Sequence, residues 1–172
     1  MCIRDSSRTH TLGLIINKPV HTPSVNEIAS DFGIPTIKRQ PNQYLVYGGP
    51  VNLNKVMVLH TPDMDFGAGT HKFNDEVWLS NNPDCLNAVL KHGVASPTNW
   101  MIAIGQCTWS AGQLESEILS RNGRMNTDAW LTTSLNANTV FGMKYQNRWK
   151  KTVNKIAQEQ FKRTFNHAVQ TQ

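Results

Sequence analysis

Long apolar runs are missing from this chain of 172 residues. The longest, such as Met101-Ile-Ala-Ile104, fall far short of the ~20 residues that a membrane-spanning helix requires. No basic start, apolar stretch and small-residue cleavage site opens the sequence, so a secretory signal is not expected. Cysteine is scarce: Cys2, Cys85 and Cys107 form neither a CxxC pair nor an even-numbered framework, which disfavours a disulfide scaffold or zinc module. The histidines at 10, 21, 60, 71, 92 and 167 show no HxxxH or HExxH spacing, so they offer no helical metal pair. Asp63-x-Asp65 lacks the closing glutamate of a calcium loop. Gly67-Ala-Gly69 lacks the third glycine and following helix of a dinucleotide site. These absences lead to the expectation of no metal and no cofactor. With 39% hydrophobic and 17% charged residues, the composition suits one cytosolic globular domain rather than a disordered or fibrous chain.

Charge is present but unevenly placed. The net +5 resides in the C-terminal segment, where Lys144 onward carries seven Lys/Arg against Glu159 alone. The preceding residues are close to neutral. The basic balance therefore describes one segment and not the whole fold.

Hydrophobic patterning alternates short strands with helices. Leu12–Asn17 reads as a buried strand ended by Lys18-Pro19. Ser24-Val-Asn-Glu27 is a capping box, followed by Val25, Ile28, Ala29 and Phe32 at helical spacing, with Gly33 as the stop. Tyr44–Tyr47 and Val56–His60 read as strands separated by the turn Gly48-Gly-Pro50. Residues 61–75 are polar and glycine-rich, a loop with room for one short strand. Glu76–Leu79 is a strand. Asn82 and Pro83 then open a helix with Leu86, Val89 and Leu90 inward and Gly93 as its stop. Trp100–Ile104 is the next strand. Ser110-Ala-Gly-Gln113 forms a second capping box, opening a helix that turns Leu114, Ile118 and Leu119 inward. Ala129–Thr133 reads as a last strand and Lys144 to about Ala168 as a last helix. Strands joined by tight turns favour a mixed sheet.

Three stretches carry a family resemblance: Gly13-Leu-Ile-Ile-Asn-Lys-Pro19, Tyr47-Gly-Gly-Pro-Val51 leading to Val58-Leu-His60, and Gly105-Gln-Cys-Thr-Trp-Ser-Ala-Gly-Gln-Leu-Glu115. In this order they resemble the YqgE/AlgH family of bacterial proteins, whose pattern in the third stretch is roughly GYxGWxxGQLExEI. Trp109, Gly112, Gln113, Leu114, Glu115, Glu117 and Ile118 match it. Ala129-Trp-Leu131 and Arg148-Trp149 fit later tryptophan positions of the family. The chain departs where Lys55-Val56 replaces an Arg-Gly, where Gln106 replaces an aromatic, and where Cys107 occupies a small-residue position. The resemblance implies one α+β domain, its mixed, bifurcated sheet curled toward a pseudo-barrel, with flanking helices and a C-terminal amphipathic helix. It also implies the family's label of transcriptional regulator, without an established activity. Family members carry an additional strand before the first motif. Met1–Ser6 reads instead like a non-native scar on an N-terminally truncated member, leaving 7–143 as the domain and 144–172 as a basic helix packed on it.

Two candidate sites emerge. The corner of Gly105, Cys107, Trp109, Gly112 and Gln113 could present backbone N–H groups to a small anion, with Gly48 and Gly49 shaping a wall. The competing reading is a self-capped structural corner. Cys107 just before a helix would suit a reactive thiol, in an enzyme or a redox sensor, and His60 is the histidine on a matching motif that could act as its base. No catalytic residue is assigned on this pattern. On the last helix, Lys144, Arg148, Lys151, Lys155 and Lys162 fall on one side at 100° per residue, opposite Tyr145, Trp149, Val153 and Ile156. That face suits a polyanionic partner, either nucleic acid or an acidic protein, and no membrane. A non-enzymatic regulatory or interaction protein is the expectation, with an enzyme built on Cys107 as the alternative.

Overall fold

A computed structural model describes residues 2–6, 10–35, 45–91, 98–119 and 130–170, with the backbone alone at 2–6 and 163–170. The strand β1 (Cys2–Ser6) runs antiparallel to β2 (His10–Ile15), with Cys2 opposite Ile15 and Ser6 opposite Thr11. The segment set apart in the sequence thus forms an outer strand of the sheet. Helix α1 (Val25–Asp31) follows. Its capping box is made in both directions: the Ser24 hydroxyl accepts from Glu27 N at 3.2 Å, and the Glu27 carboxylate accepts from Ser24 N at 2.6 Å. After β3 (Leu45–Tyr47) comes β4 (Val51–His60), longer at its start than the apolar pattern suggested. The short strand β5 (Thr70–Lys72) and β6 (Trp78–Ser80) complete that edge. Helix α2 (Pro83–Lys91) opens with Asp84 N donating to the Asn82 side chain at 2.7 Å. Its expected stop at Gly93, like Tyr44 and Ala129, lies outside the described residues.

The strand β7 (Trp100–Ser110) has 11 residues and organises the sheet. Its first half pairs antiparallel with β4 on one edge and parallel with β3 on the other. Its second half pairs antiparallel with β2, placing Gly13 opposite Cys107. The strand order is β1-β2-β7-β4-β6-β5, with β3 joined to β7 beside β2, and the sheet curls into a half-barrel. Alternation along the strands fills both faces. Val46, Met57, Leu59, Met101 and Ala103 join Leu14, Ile16, Val77, Leu79 and Val140 on one side. Leu45, Val58, Trp100 and Ile102 face Ile28 and Ala29 of α1 and Cys85, Leu86, Val89 and Leu90 of α2 on the other. Burying each such aliphatic side chain contributes about 1.5–3 kcal/mol.

Three expectations fail beyond β7. Gly112, not Ser110, is the N-cap of α3 (Gln113–Ile118); it adopts a left-handed conformation without a side-chain cap bond. Half of the expected box survives, as the Gln113 side chain accepts from Ser110 N at 3.0 Å. Leu119, expected inward, is exposed. Residues 130–133 form no strand. The chain here is instead pinned to the 74–76 turn, with Asn74 Nδ2 donating to Leu135 O at 2.9 Å and Ala137 N donating to the Glu76 carboxylate at 2.7 Å. It leads into the short α4 (Ala137–Val140), whose Val140 is buried.

The last helix, α5 (Tyr145–Gln170), is present over 26 residues. It docks through Arg148, Thr152 and Ile156, all buried, while Trp149 is 53% exposed. The packed side is therefore turned about 50° from the Tyr145–Trp149–Val153–Ile156 stripe, at 100° per residue. Trp149 is on the outside, and Arg148 on the inside.

Candidate functional site

The three motifs of the sequence converge where the sheet forks. Along one edge of β7 the partner changes from β3 to β2, and Gly48 sits at the change. Its N–H donates to Ile104 O at 2.7 Å, and its carbonyl accepts from Ile15 N at 2.8 Å. Beyond this point the chain after β2 leaves β7 and pairs with β3, through Tyr47 N to Lys18 O at 2.9 Å and Val20 N to Leu45 O at 2.8 Å. At the crossing, backbone lies on backbone. A Cβ on Gly48 or Gly49 would overlap the 105–107 backbone, and one on Gly105 would overlap the Gly49 carbonyl. Gly105 has φ +70°, and β4 makes room with a bulge in which Asn52–Lys55 stand opposite this one residue. Leu53 folds back so that its Cδ2 would lie 3.0 Å from such a Cβ. Gly48, Gly49 and Gly105 thus meet to let two strands separate, which accounts for the glycines without a ligand.

Cys107 belongs to this fork and not to a strand-to-helix elbow. It lies within β7, and its thiol, half-buried, donates to the Gly48 carbonyl at 3.7 Å. Trp109, two residues on, meets Trp130 edge to face with ring centroids 6.3 Å apart. Gly112 and Gln113 lie past the end of the strand. There the Gln113 amide donates to Glu117 Oε1 at 3.2 Å, so its side chain spans the first turn of α3. The corner is partitioned into a buried crossing and a self-bonded turn of six residues.

His60 is not the base for Cys107. It stands opposite Trp100, seven residues along β7 from the thiol, or about 23 Å at strand rise. It is completely buried. Its Nδ1–H donates to Thr61 O at 2.8 Å, since a carbonyl can only accept. Nε2 is therefore the acceptor, taking the Ser80 hydroxyl at 2.9 Å. The Ser80 oxygen is in turn 2.8 Å from Thr70 Oγ1. Phe66 and Trp78 meet the imidazole edge-on, with centroids 5.5 and 6.2 Å away. Burial pushes the His60 pKa below its usual value, against the opposing pull of the Thr61 carbonyl and of Asp63 and Asp65. The same packing pushes the Cys85 thiol up to about 12. This cluster joins residues 60, 70, 80 and 85; only the position of His60 at a strand end hinted at it in the sequence.

On α5 the five expected cations separate into two roles. Lys144, Lys151 and Lys162 are exposed and Lys155 is half-exposed, its ammonium 3.8 Å from Glu159. Arg148 is fully buried, its guanidinium donating to the carbonyls of Ile16 and, at 3.1 Å, Met143. It ties the helix to the end of β2 and leaves the solvent face to lysines. Among the described residues, no group of three His, Cys, Asp or Glu is arranged to hold a metal, and no helix is long and apolar enough to cross a membrane.

A half-barrel forked at a glycine crossing, flanked by two helices on one face and a lysine-bearing helix after α4, defines an α+β protein class. The chain belongs to the AlgH-like DUF179 family, whose model matches residues 1–160. It is 29% identical over 149 residues to a UPF0301 protein of Yersinia pestis, covering 84% of this chain and 74% of that one. A UPF0301 protein of Pectobacterium atrosepticum is 30% identical over the same length and coverage. The solution structure of the AlgH protein from Pseudomonas aeruginosa shares the fold with a TM-score of 0.66 and 22% identity, over 90% of this chain and 78% of that one. A Corynebacterium diphtheriae protein matches at 0.54 and 18% identity, over 80% of this chain and 67% of that one.

Proposed function

We propose that this chain is a non-enzymatic regulatory or interaction protein of the cytoplasm, acting through contact between α5 and the phosphate backbone of nucleic acid. The observation that carries the reading is the lysine face of α5. Lys144, Lys151, Lys155 and Lys162 lie within about 40° of one another and span about 27 Å along the axis. Arg148 anchors the helix beside them. Lysines so placed meet successive phosphates without reading bases, so sequence preference is weak. The engagement of Cys107 with the Gly48 carbonyl and of His60 with Thr61 and Ser80 supports a non-catalytic role.

Fluorescence anisotropy of labelled duplex DNA, titrated at several salt concentrations, tests this reading. Four phosphate contacts give a log–log salt slope of about −3.6, or roughly a hundredfold loss of affinity between 50 and 200 mM salt. A folded variant with Lys144, Lys151, Lys155 and Lys162 changed to Glu should not bind. Absence of binding by the unaltered chain at low salt, or equal binding by the variant, refutes the proposal. An acidic protein partner then becomes the reading to pursue.

A further inference from the structure

The His60 cluster is a candidate for more than packing. Residues 61–69 join β4 to β5 and touch the ring through the Thr61 carbonyl and Phe66. Phe66 is the side chain that meets the imidazole from this loop. The rest of the loop is held by polar contacts near the surface. Asn82 Nδ2 donates to Phe66 O at 2.8 Å and Ala68 O at 3.1 Å. Asp63 accepts from Thr98 N and Oγ1, each at 2.6 Å. Asp65 accepts from Gly67 N at 2.9 Å and pairs with Lys72 at 3.1 Å.

We propose that protonation of His60 opens this loop, making the 61–69 segment an acid-responsive cover over the end of β4. The neutral ring matches its surroundings in one direction only: Nδ1 donates and Nε2 accepts. An added proton on Nε2 turns that acceptor into a donor. The Ser80 hydroxyl must then rotate away, toward Thr70 Oγ1 or the Cys85 sulfur; where it donates to Thr70, the Thr70 hydroxyl turns to a new acceptor. Thr70 is half-exposed and stands where the loop enters β5, so water is the acceptor within reach. The proton comes from solvent and forms the Nε2–H bond; no other covalent bond changes, and opening also releases the Asn82 hydrogen bonds to Phe66 O and Ala68 O.

Among the groups around the ring, burial favours opening once the ring is charged, and the carboxylates of the loop oppose it. Asp63 and Asp65 attract the imidazolium from the loop. Lys72 of β5 is occupied over the Trp78 ring, 4.1 Å from its centroid, and by Asp65. The Cys85 thiol of α2 interacts with Ser80 and stays protonated. From β7 the opposing residue is the uncharged Trp100. The buried ring lowers its charging cost by letting water reach it, which outweighs the pull of the two aspartates because burial sets the direction of its pKa, and displacement of Phe66 provides that access.

Two measurements on the full chain test the proposal together: the imidazole Hε1 resonance of His60 followed by NMR from pH 8 to pH 5, and amide exchange by mass spectrometry, corrected for intrinsic pH dependence. His60 should titrate below its ordinary value. Over the same interval, protection across residues 61–72 should fall at least tenfold while peptides of β7 keep theirs, the signature of local opening. Protection that stays constant through the His60 titration overturns the proposal. So does a His60 that remains neutral until the whole chain unfolds. His60→Gln should remove the pH response where it folds; an undiminished response in that variant also overturns the idea. The comparison of 61–72 with β7 in the unaltered chain decides the matter if the variant does not fold.

Discussion

Replacing Gly105 by alanine tests the fork most directly. Two costs combine at this residue. Its φ of +70° is a conformation in which a Cβ costs about 1–2 kcal/mol. The new methyl would also overlap the Gly49 carbonyl and press on Leu53, and forcing a rigid backbone crossing apart adds about 1–3 kcal/mol. The sum is about 3 kcal/mol. Gly33 is the internal reference: its φ is +65°, yet a Cβ there meets nothing within 4 Å, so Gly33→Ala carries the first cost alone, about 1 kcal/mol. With a urea m-value of about 2 kcal/mol/M, the midpoint should fall by about 1.5 M for Gly105→Ala and by about 0.5 M for Gly33→Ala. Equilibrium urea unfolding followed by circular dichroism measures both. Equal shifts would refute the argument that backbone contact, and not the left-handed conformation alone, fixes glycine at 105.

The buried cation and the two buried titratable groups give three further expectations. Arg148→Met leaves the Ile16 and Met143 carbonyls without their donor and should destabilise the chain by about 2–4 kcal/mol, read by thermal melting. It should leave the salt slope of any DNA binding unchanged, because Arg148 does not reach solvent; a slope reduced by about one would return it to the binding face. Cys85 at pH 8 should hold about one thiolate in ten thousand, given a pKa near 12; its carboxymethylation by iodoacetamide, mapped by peptide mass spectrometry, should await unfolding. Because the folded chain holds the His60 pKa below that of the unfolded chain, the unfolded state takes up the proton first as pH falls through about 6.5. Stability should therefore decline from there until the folded pKa is reached, and a urea midpoint that does not move over this interval counts against a buried neutral His60.

Local signals in the sequence were enough where one short segment decides the outcome. Ser24 and Glu27 form their box because both partners lie within a single turn. Pro83 and the apolar stripe from Leu86 place α2 for the same reason. Gly105 misled because glycine ordinarily interrupts a strand, whereas here β4 compensates from across the sheet with four residues opposite one. That bulge moved Cys107 from a helix entrance to the middle of β7 and removed the reason to expect an activated thiol. The phase of α5 was illegible for a different reason. An arginine is normally counted as polar and outward, but the carbonyl of Ile16, far away in the chain, and that of Met143, just before the helix, accept its hydrogen bonds, and the helix rolls to bury it. Ala129–Thr133 had the composition of a strand, yet the Asn74 and Glu76 side chains hold the adjoining chain in a non-strand path. The family motifs, in contrast, pointed to one place in the fold, since all three supply backbone to the fork.

The sharing of β7 among three partners also sets an order in time. The chain emerges from the ribosome from its first residue at about 5–20 residues per second, so β2, β3 and β4 are all made before the strand that unites them. Gly13 must wait for Cys107, and Val46 for Ala103. The half-barrel can close only when residues 100–110 leave the exit tunnel, several seconds after β2 has done so. During that interval the early strands lack the β7 partner that covers them in the finished sheet.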